Sequence, residues 1–203
     1  MKAFEQPVRP EDCVLVFGIP TTQQGFFRHL SESSRHDFVP SVCPAWPAYE
    51  RIVEQFEVAL PRISSFGVSV RHDVTFRQFS DSFSDARVVI LFSHWVNDAI
   101  EFDDGLYHID RVVSGVPPSY CGVIDLCVCH PDALVMSLRR ERDNCLIKRS
   151  RSKARVSFWL QFYQILFHTL QKGELAYGDA VTMVAMTFMG IEIETTGGGR
   201  EAR

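Results

Sequence analysis

Two residues of this sequence have the type and the setting for nucleophilic chemistry. His94 follows the apolar run Arg87-Val-Val-Ile-Leu-Phe-Ser93, and Cys129 ends the apolar run Gly122-Val-Ile-Asp-Leu-Cys-Val-Cys129. A cysteine thiolate attacks a carbonyl carbon, and an imidazole within reach takes up a proton and later returns it to the leaving amine. An imidazolium beside the thiol would also lower its pKa and give thiolate at neutral pH. The competing reading is structural: cysteine is among the most buried and inert residue types. Cys127 shares a sheet face with Cys129 by the two-residue period of a strand, and only its place at the strand end favours Cys129. Asp125 lies on that face too and reads as a buried, hydrogen-bonded structural carboxylate. His130 adjoins Cys129 in sequence but belongs to the opposite face, which ranks it behind His94.

The elements around these residues alternate. Both runs are continuous, apolar and rich in β-branched residues, as strands covered on both faces of a parallel sheet are. Cys13 to Phe17 before Gly18, Val68 to Val70, and Cys145 to Ile147 read as further strands. A short helix is expected from a Thr21 or Thr22 cap to Leu30, then a loop over Ser31 to Pro47. A longer helix over Ala48 to Ser64 carries Tyr49, Ile52, Val53, Phe56, Ala59 and Leu60 in one stripe. Thr75 caps a helix that buries Phe76, Phe79 and Phe83, and Ala99 to His108 forms a hairpin around Asp103-Asp104-Gly105. Ile109 to Ser114 reads as a helical turn, and Pro131 opens a further helix. The C-terminal part supplies two helices, Val156 to Gln171 and Leu175 to Met189.

Strands alternating with helices give an α/β fold of three layers, a mainly parallel sheet with helices on both faces. In such sheets ligands gather outside the carboxyl ends of the strands. Neighbouring strands lie about 5 Å apart, so His94 and Cys129 meet if their strands adjoin. Residues 1–193 read as one domain. Residues 194–203, with Gly197-Gly-Gly199, read as a disordered tail.

Composition excludes several classes. The chain has 203 residues, a formal net charge of -4, and 46% hydrophobic residues including 16 Phe. That suits a self-sufficient core and argues against a nucleic-acid binder. No apolar run reaches the roughly 18 residues a membrane span needs, and Met1 to Asp12 is polar and acidic, unlike a signal peptide. With cysteines embedded in apolar runs, the thiols read as reduced and the protein as cytoplasmic. Cys127, Cys129 and His130 are too crowded for a zinc knuckle, and there is no phosphate-binding glycine loop, so neither a metal nor a cofactor is expected.

The order Val-Val-Ile-Leu-Phe-Ser-His94, then Val-Ile-Asp-Leu-Cys-Val-Cys129, resembles the core of caspase-like cysteine peptidases, the group that includes the caspases and the bacterial CHAT peptidases. Downstream, Ala154 to Tyr163 with Leu170, Gly173 and Ala180-Val181 resembles the helix pair of CHAT domains. The likeness spans roughly Arg87 to Met189. It implies a caspase-like three-layer fold, with His94 as general acid/base and Cys129 as nucleophile. The backbone N–H groups of Trp95 and Cys129 would form the oxyanion hole. It further implies a protein substrate, a regulatory protein partner and a role in a regulated prokaryotic defence or cell-death system. The basic stretch from Lys148 to Arg155 would help build the substrate pocket, where Arg149 and Arg151 would select an acidic side chain. Asp103 and Asp104 could instead receive a basic one. Solvated charge runs explain both groups as well. Two departures matter: Trp95 stands where the family usually has Gly, and His130-Pro131 stands where it has a flexible stretch. They keep open a catalytically silent interaction module. A flavodoxin-like domain binding a small ligand at the strand ends is a third reading.

Overall fold

The structure, a computed structural model, describes residues 2–35, 45–129, 131–150, 154–188 and 193–197. Five short runs supply the parallel part of its main sheet: β1 (Cys13–Phe17), β2 (Ser69–Arg71), β3 (Val88–Phe92), β7 (Val123–Cys127) and β8 (Leu146–Ser150). Their order is β2-β1-β3-β7-β8, closed by an antiparallel edge strand β9 (Ile193–Gly197). Between β3 and β7 the chain inserts a three-stranded antiparallel sheet, β4 (Trp95–Val96), β5 (Ala99–Phe102) and β6 (Gly105–His108).

Alternation along the strands sorts the core into two layers. Leu15, Phe17, Ile90, Phe92 and Cys127 face one side, with Phe26 of α1 (Gln23–Arg35), Phe56 of α2 (Trp46–Ser64), Tyr163 of α6 (Val156–Leu170) and Tyr177 of α7 (Tyr177–Ala185). Val14, Val16, Val89, Leu91 and Leu126 face the other. There they meet Phe79 of α3 (Phe76–Asp85), Val112 of α4 (Ile109–Gly115) and Leu134 of α5 (Asp132–Glu141). The fold is therefore α/β in three layers, as the alternating elements require. Thr75 caps α3 as expected, its hydroxyl accepting from the Gln78 N–H.

Three segments depart from the sequence expectation. The stretch expected as a loop over 31–47 is helical at both ends: α1 runs through Arg35, and α2 begins at Trp46 with Pro47 in its first turn, where the missing N–H costs nothing. Residues 36–44 lie outside the described ones. β8 lies further along than Cys145 to Ile147, so Lys148 and Arg149 are strand residues rather than part of a basic loop. The tail expected from residue 194 instead contributes residues 194–197 to β9, which pairs Ile193 with Ser150 and Gly197 with Leu146 and so covers the outer backbone edge of β8.

Lys148 belongs inside because it has partners there. It pairs with Asp125 across the β7–β8 ladder, Nζ to Oδ1 at 2.8 Å, with both side chains fully buried. Tyr163 donates to Asp125 Oδ1 at 3.1 Å and Tyr177 to Oδ2 at 2.6 Å. The Lys148 ammonium also lies 4.8 Å from the Trp159 ring centre. Asp125 is thus the satisfied structural carboxylate the sequence suggests. Removing one member strands the other charge in the core. Asp125→Leu and Lys148→Met are each expected to cost about 3–5 kcal/mol in urea denaturation, and the double variant less than their sum.

Candidate active site

His94 and Cys129 leave adjacent strands at the same level. β3 and β7 pair in parallel with Phe92 opposite Cys127. The Ser93 N–H donates to the Cys127 carbonyl at 3.4 Å, which carries the ladder one residue further. Both candidate residues stand two positions past that last pair, on strands about 5 Å apart. Cys129 is exposed and Cys127 is buried. Burial pushes the Cys127 thiol far above its ordinary range, against the attraction of Lys148 and with the repulsion of Asp125. Cys127 is therefore a poor candidate nucleophile, and Cys129 is the thiol of this strand that is open to solvent.

His94 is partly buried. Burial holds its ring below the ordinary imidazole range, Glu101 works against that shift, and His29 works with it. A shift in this direction favours the neutral form of the ring over an imidazolium.

The inserted hairpin braces this end of β3. Asn97 and Asp98 both have left-handed backbone, with φ of 47° and 62°, as a two-residue type I′ turn between β4 and β5 demands. The Glu101 N–H donates to the His94 carbonyl at 3.1 Å. Hydrogen-bonded and non-hydrogen-bonded pairs alternate in an antiparallel ladder, so Trp95, opposite Ile100, directs its N–H to the open side of edge strand β4. The Ser93 hydroxyl donates to the Glu101 carbonyl at 2.5 Å. Gly18, at the end of β1, permits this approach, since a Cβ there would collide with the same carbonyl.

Sequence reasoning missed the group behind His94. His29 Nε2 lies 2.8 Å from Glu101 Oε1, and neither side chain is exposed at all. His29 Nδ1 faces Asp103 at 3.8 Å. Burial opposes a charge on His29, but hydrogen bonds and attraction from Asp103 and Glu101 prevail and raise its pKa to about 9. The one available signal is that His29 follows Phe26 by three residues on the apolar face of α1. Nothing local ties it to Glu101, which lies 72 residues away.

The other expected site residues have internal partners. Asp103 pairs with Arg28 at 3.2 Å, and Arg28 also holds Asp73. Asp104 accepts from the Phe76 N–H at the start of α3 and from the Tyr107 hydroxyl, both at 2.9 Å. The acidic hairpin is therefore neither a solvated turn nor an open acidic patch, because its carboxylates complete backbone and ion-pair contacts. Arg149 pairs with Asp132 and ties β8 to the start of α5. Arg151 and His130 lie outside the described residues. Among the described residues no cluster of His, Cys, Asp or Glu is placed to hold a metal ion, and no helix is long and apolar enough to cross a membrane. No protein-family model matches the chain, and no curated protein matches it in sequence.

Two outcomes follow from this geometry. Iodoacetamide applied to the native protein should modify Cys121 and Cys129, which are exposed, and spare Cys13, Cys127 and Cys145, as read by peptide mass spectrometry. Stability should also depend on His29. Its folded pKa of about 9 exceeds the ordinary 6.5, so its contribution is complete below pH 6.5 and fades as pH rises toward 9. The urea midpoint should already fall between pH 6.5 and about 8, before thiols of the unfolded chain ionise, and Glu101→Gln should flatten that fall.

Proposed function

We propose that the protein is a cysteine endopeptidase of the caspase-like kind that cleaves a protein partner, with Cys129 as nucleophile and His94 as general acid/base. The observation that carries this reading is the β3–β7 register: it brings an exposed thiol and a partly buried imidazole to the carboxyl edge of neighbouring strands, where α/β sheets gather their chemistry. The Trp95 N–H, turned out from the edge of the small sheet, and the Cys129 N–H would receive the oxyanion. Trp95 in place of glycine thus keeps the donor the reaction needs. The reaction requires only these groups, a peptide bond and water. A reduced nucleophilic thiol suits a reducing compartment such as the cytoplasm.

The silent interaction module is favoured by a different observation. Asp103, Asp104 and Arg149, the charges expected to select a substrate side chain, are engaged within the protein. A peptidase built this way reads its substrate through other residues or through a partner.

The deciding experiment expresses wild type, Cys129→Ala and Cys127→Ala alongside the products of neighbouring genes and reads new peptide termini by mass spectrometry. Fragments present in wild type and Cys127→Ala but absent in Cys129→Ala establish the peptidase. His94→Ala should slow the same cleavage by about 10²–10⁴-fold. Identical profiles in all samples, with partner binding retained, would leave the interaction module.

A further inference from the structure

Beside the candidate base lies a charge pair that proton transfer between Cys129 and His94 does not itself require. His29 on α1 and Glu101 on β5 meet at 2.8 Å with no exposure of either side chain. Glu101 is also tied to the end of β3 through its backbone, by its N–H to the His94 carbonyl at 3.1 Å and by its own carbonyl to the Ser93 hydroxyl at 2.5 Å. One residue thus grips both backbone and charge environment of His94. A buried ion pair is rarely worth more to stability than apolar residues of equal volume, so its place beside a candidate base calls for another explanation.

Glu101 from β5 and His29 from α1 act on the His94 ring, and Cys129 stands level with it at the end of β7. Glu101 and Asp103 act on His29, and Arg28 holds Asp103 and Asp73.

We propose that the His29–Glu101 ion pair is the positioning unit of His94: Glu101 fixes the strand end and sets an anion beside the ring, and His29 holds that anion in place. The inference rests on the reading of Cys129 and His94 as a catalytic pair. During acylation the Cys129 S–H bond breaks, its proton passes to a nitrogen of His94, and the sulfur electron pair forms the S–C bond to the substrate carbonyl. Collapse of the tetrahedral intermediate breaks the C–N bond, and the leaving amine takes the proton from His94. Water then loses a proton to His94 and forms a C–O bond to the thioester carbonyl; the C–S bond breaks, the acid product leaves, and the Cys129 sulfur takes the proton back from His94. His94 carries positive charge only between these transfers. The fixed Glu101 carboxylate stabilises that transient charge. Burial favours the neutral ring, and the His29 cation offsets the carboxylate's pull toward the charged form.

The test reads the His94 ring directly, by NMR of protein labelled with ¹³C and ¹⁵N at histidine. In wild type, His94 should titrate below 6.5 and show a second, smaller displacement near pH 9 as His29 loses its proton. Glu101→Gln should lower the His94 midpoint and His29→Gln should raise it, each by about half a unit or more. Opposite shifts from the two halves of one ion pair are not what general loosening of the fold produces. Midpoints that stay put, or move the same way, overturn the proposal. The wild-type titration needs no variant to fold, and absence of the displacement near pH 9 overturns the proposal by itself. Cleavage does not enter the readout. A wild type that cleaves nothing while both shifts appear removes the peptidase reading and leaves the coupling in place. Cleavage with an unmoved His94 removes the positioning role alone.

Discussion

A strand covered on both faces has no water to satisfy its backbone, so every N–H and C=O must pair with a neighbouring strand. β3 lies under this constraint between β1 and β7. Its five residues pair one for one on both sides, Phe92 with Phe17 and with Cys127. A slip of one residue would turn Leu91 and Ile90 to the wrong layers and break both ladders together. The level of the strand ends, and hence of His94 and Cys129, is therefore a consequence of core packing. The two helical layers supply the apolar surface that makes the constraint binding, and the site inherits its precision from them.

Two buried ion pairs work on top of this frame, and they act differently. Asp125–Lys148 joins β7 to β8 four residues before Cys129 and is satisfied by Tyr163 and Tyr177. It specifies which residue of β8 faces which residue of β7, a use of buried charge with good physical precedent. His29–Glu101 joins α1 to the inserted hairpin just past His94. Its geometry braces the backbone, and its charges set the electrostatic setting of the imidazole. The first lies on the strand that leads to Cys129 and the second beside the strand end that carries His94.

Much of this was legible in the residues. Apolar continuity marked β3 and β7, the turn residues marked the hairpin between β5 and β6, and Thr75 marked the start of α3, because each is a local preference written within a few neighbouring positions. The failures share a cause as well. Lys148 and Arg149 read as a basic loop because charge normally means solvent, whereas the ladders to β7 and β9 make them strand residues and Asp125 receives the buried Lys148. Residues 194–197 read as a tail because strand pairing with β8 is not visible in their own composition. Asp103, Asp104 and Glu101 read as a turn facing water for the same reason: their partners Arg28, Phe76 and His29 come from elsewhere in the chain.

By itself the sequence determined the layered α/β architecture, the two strand ends that carry His94 and Cys129, and the carboxylate of Asp125 as a buried structural group. These follow from periodicity and from the cost of burying unpaired polar atoms, which act on short stretches of chain. Tertiary structure alone decided that the two strands adjoin in register, that Cys127 is sealed while Cys129 is open, that burial lowers the affinity of His94 for a proton, and that His29 and Glu101 pair in the core beside it. Those outcomes depend on desolvation and on pairing between residues tens of positions apart, and neither exists until the chain has closed around them.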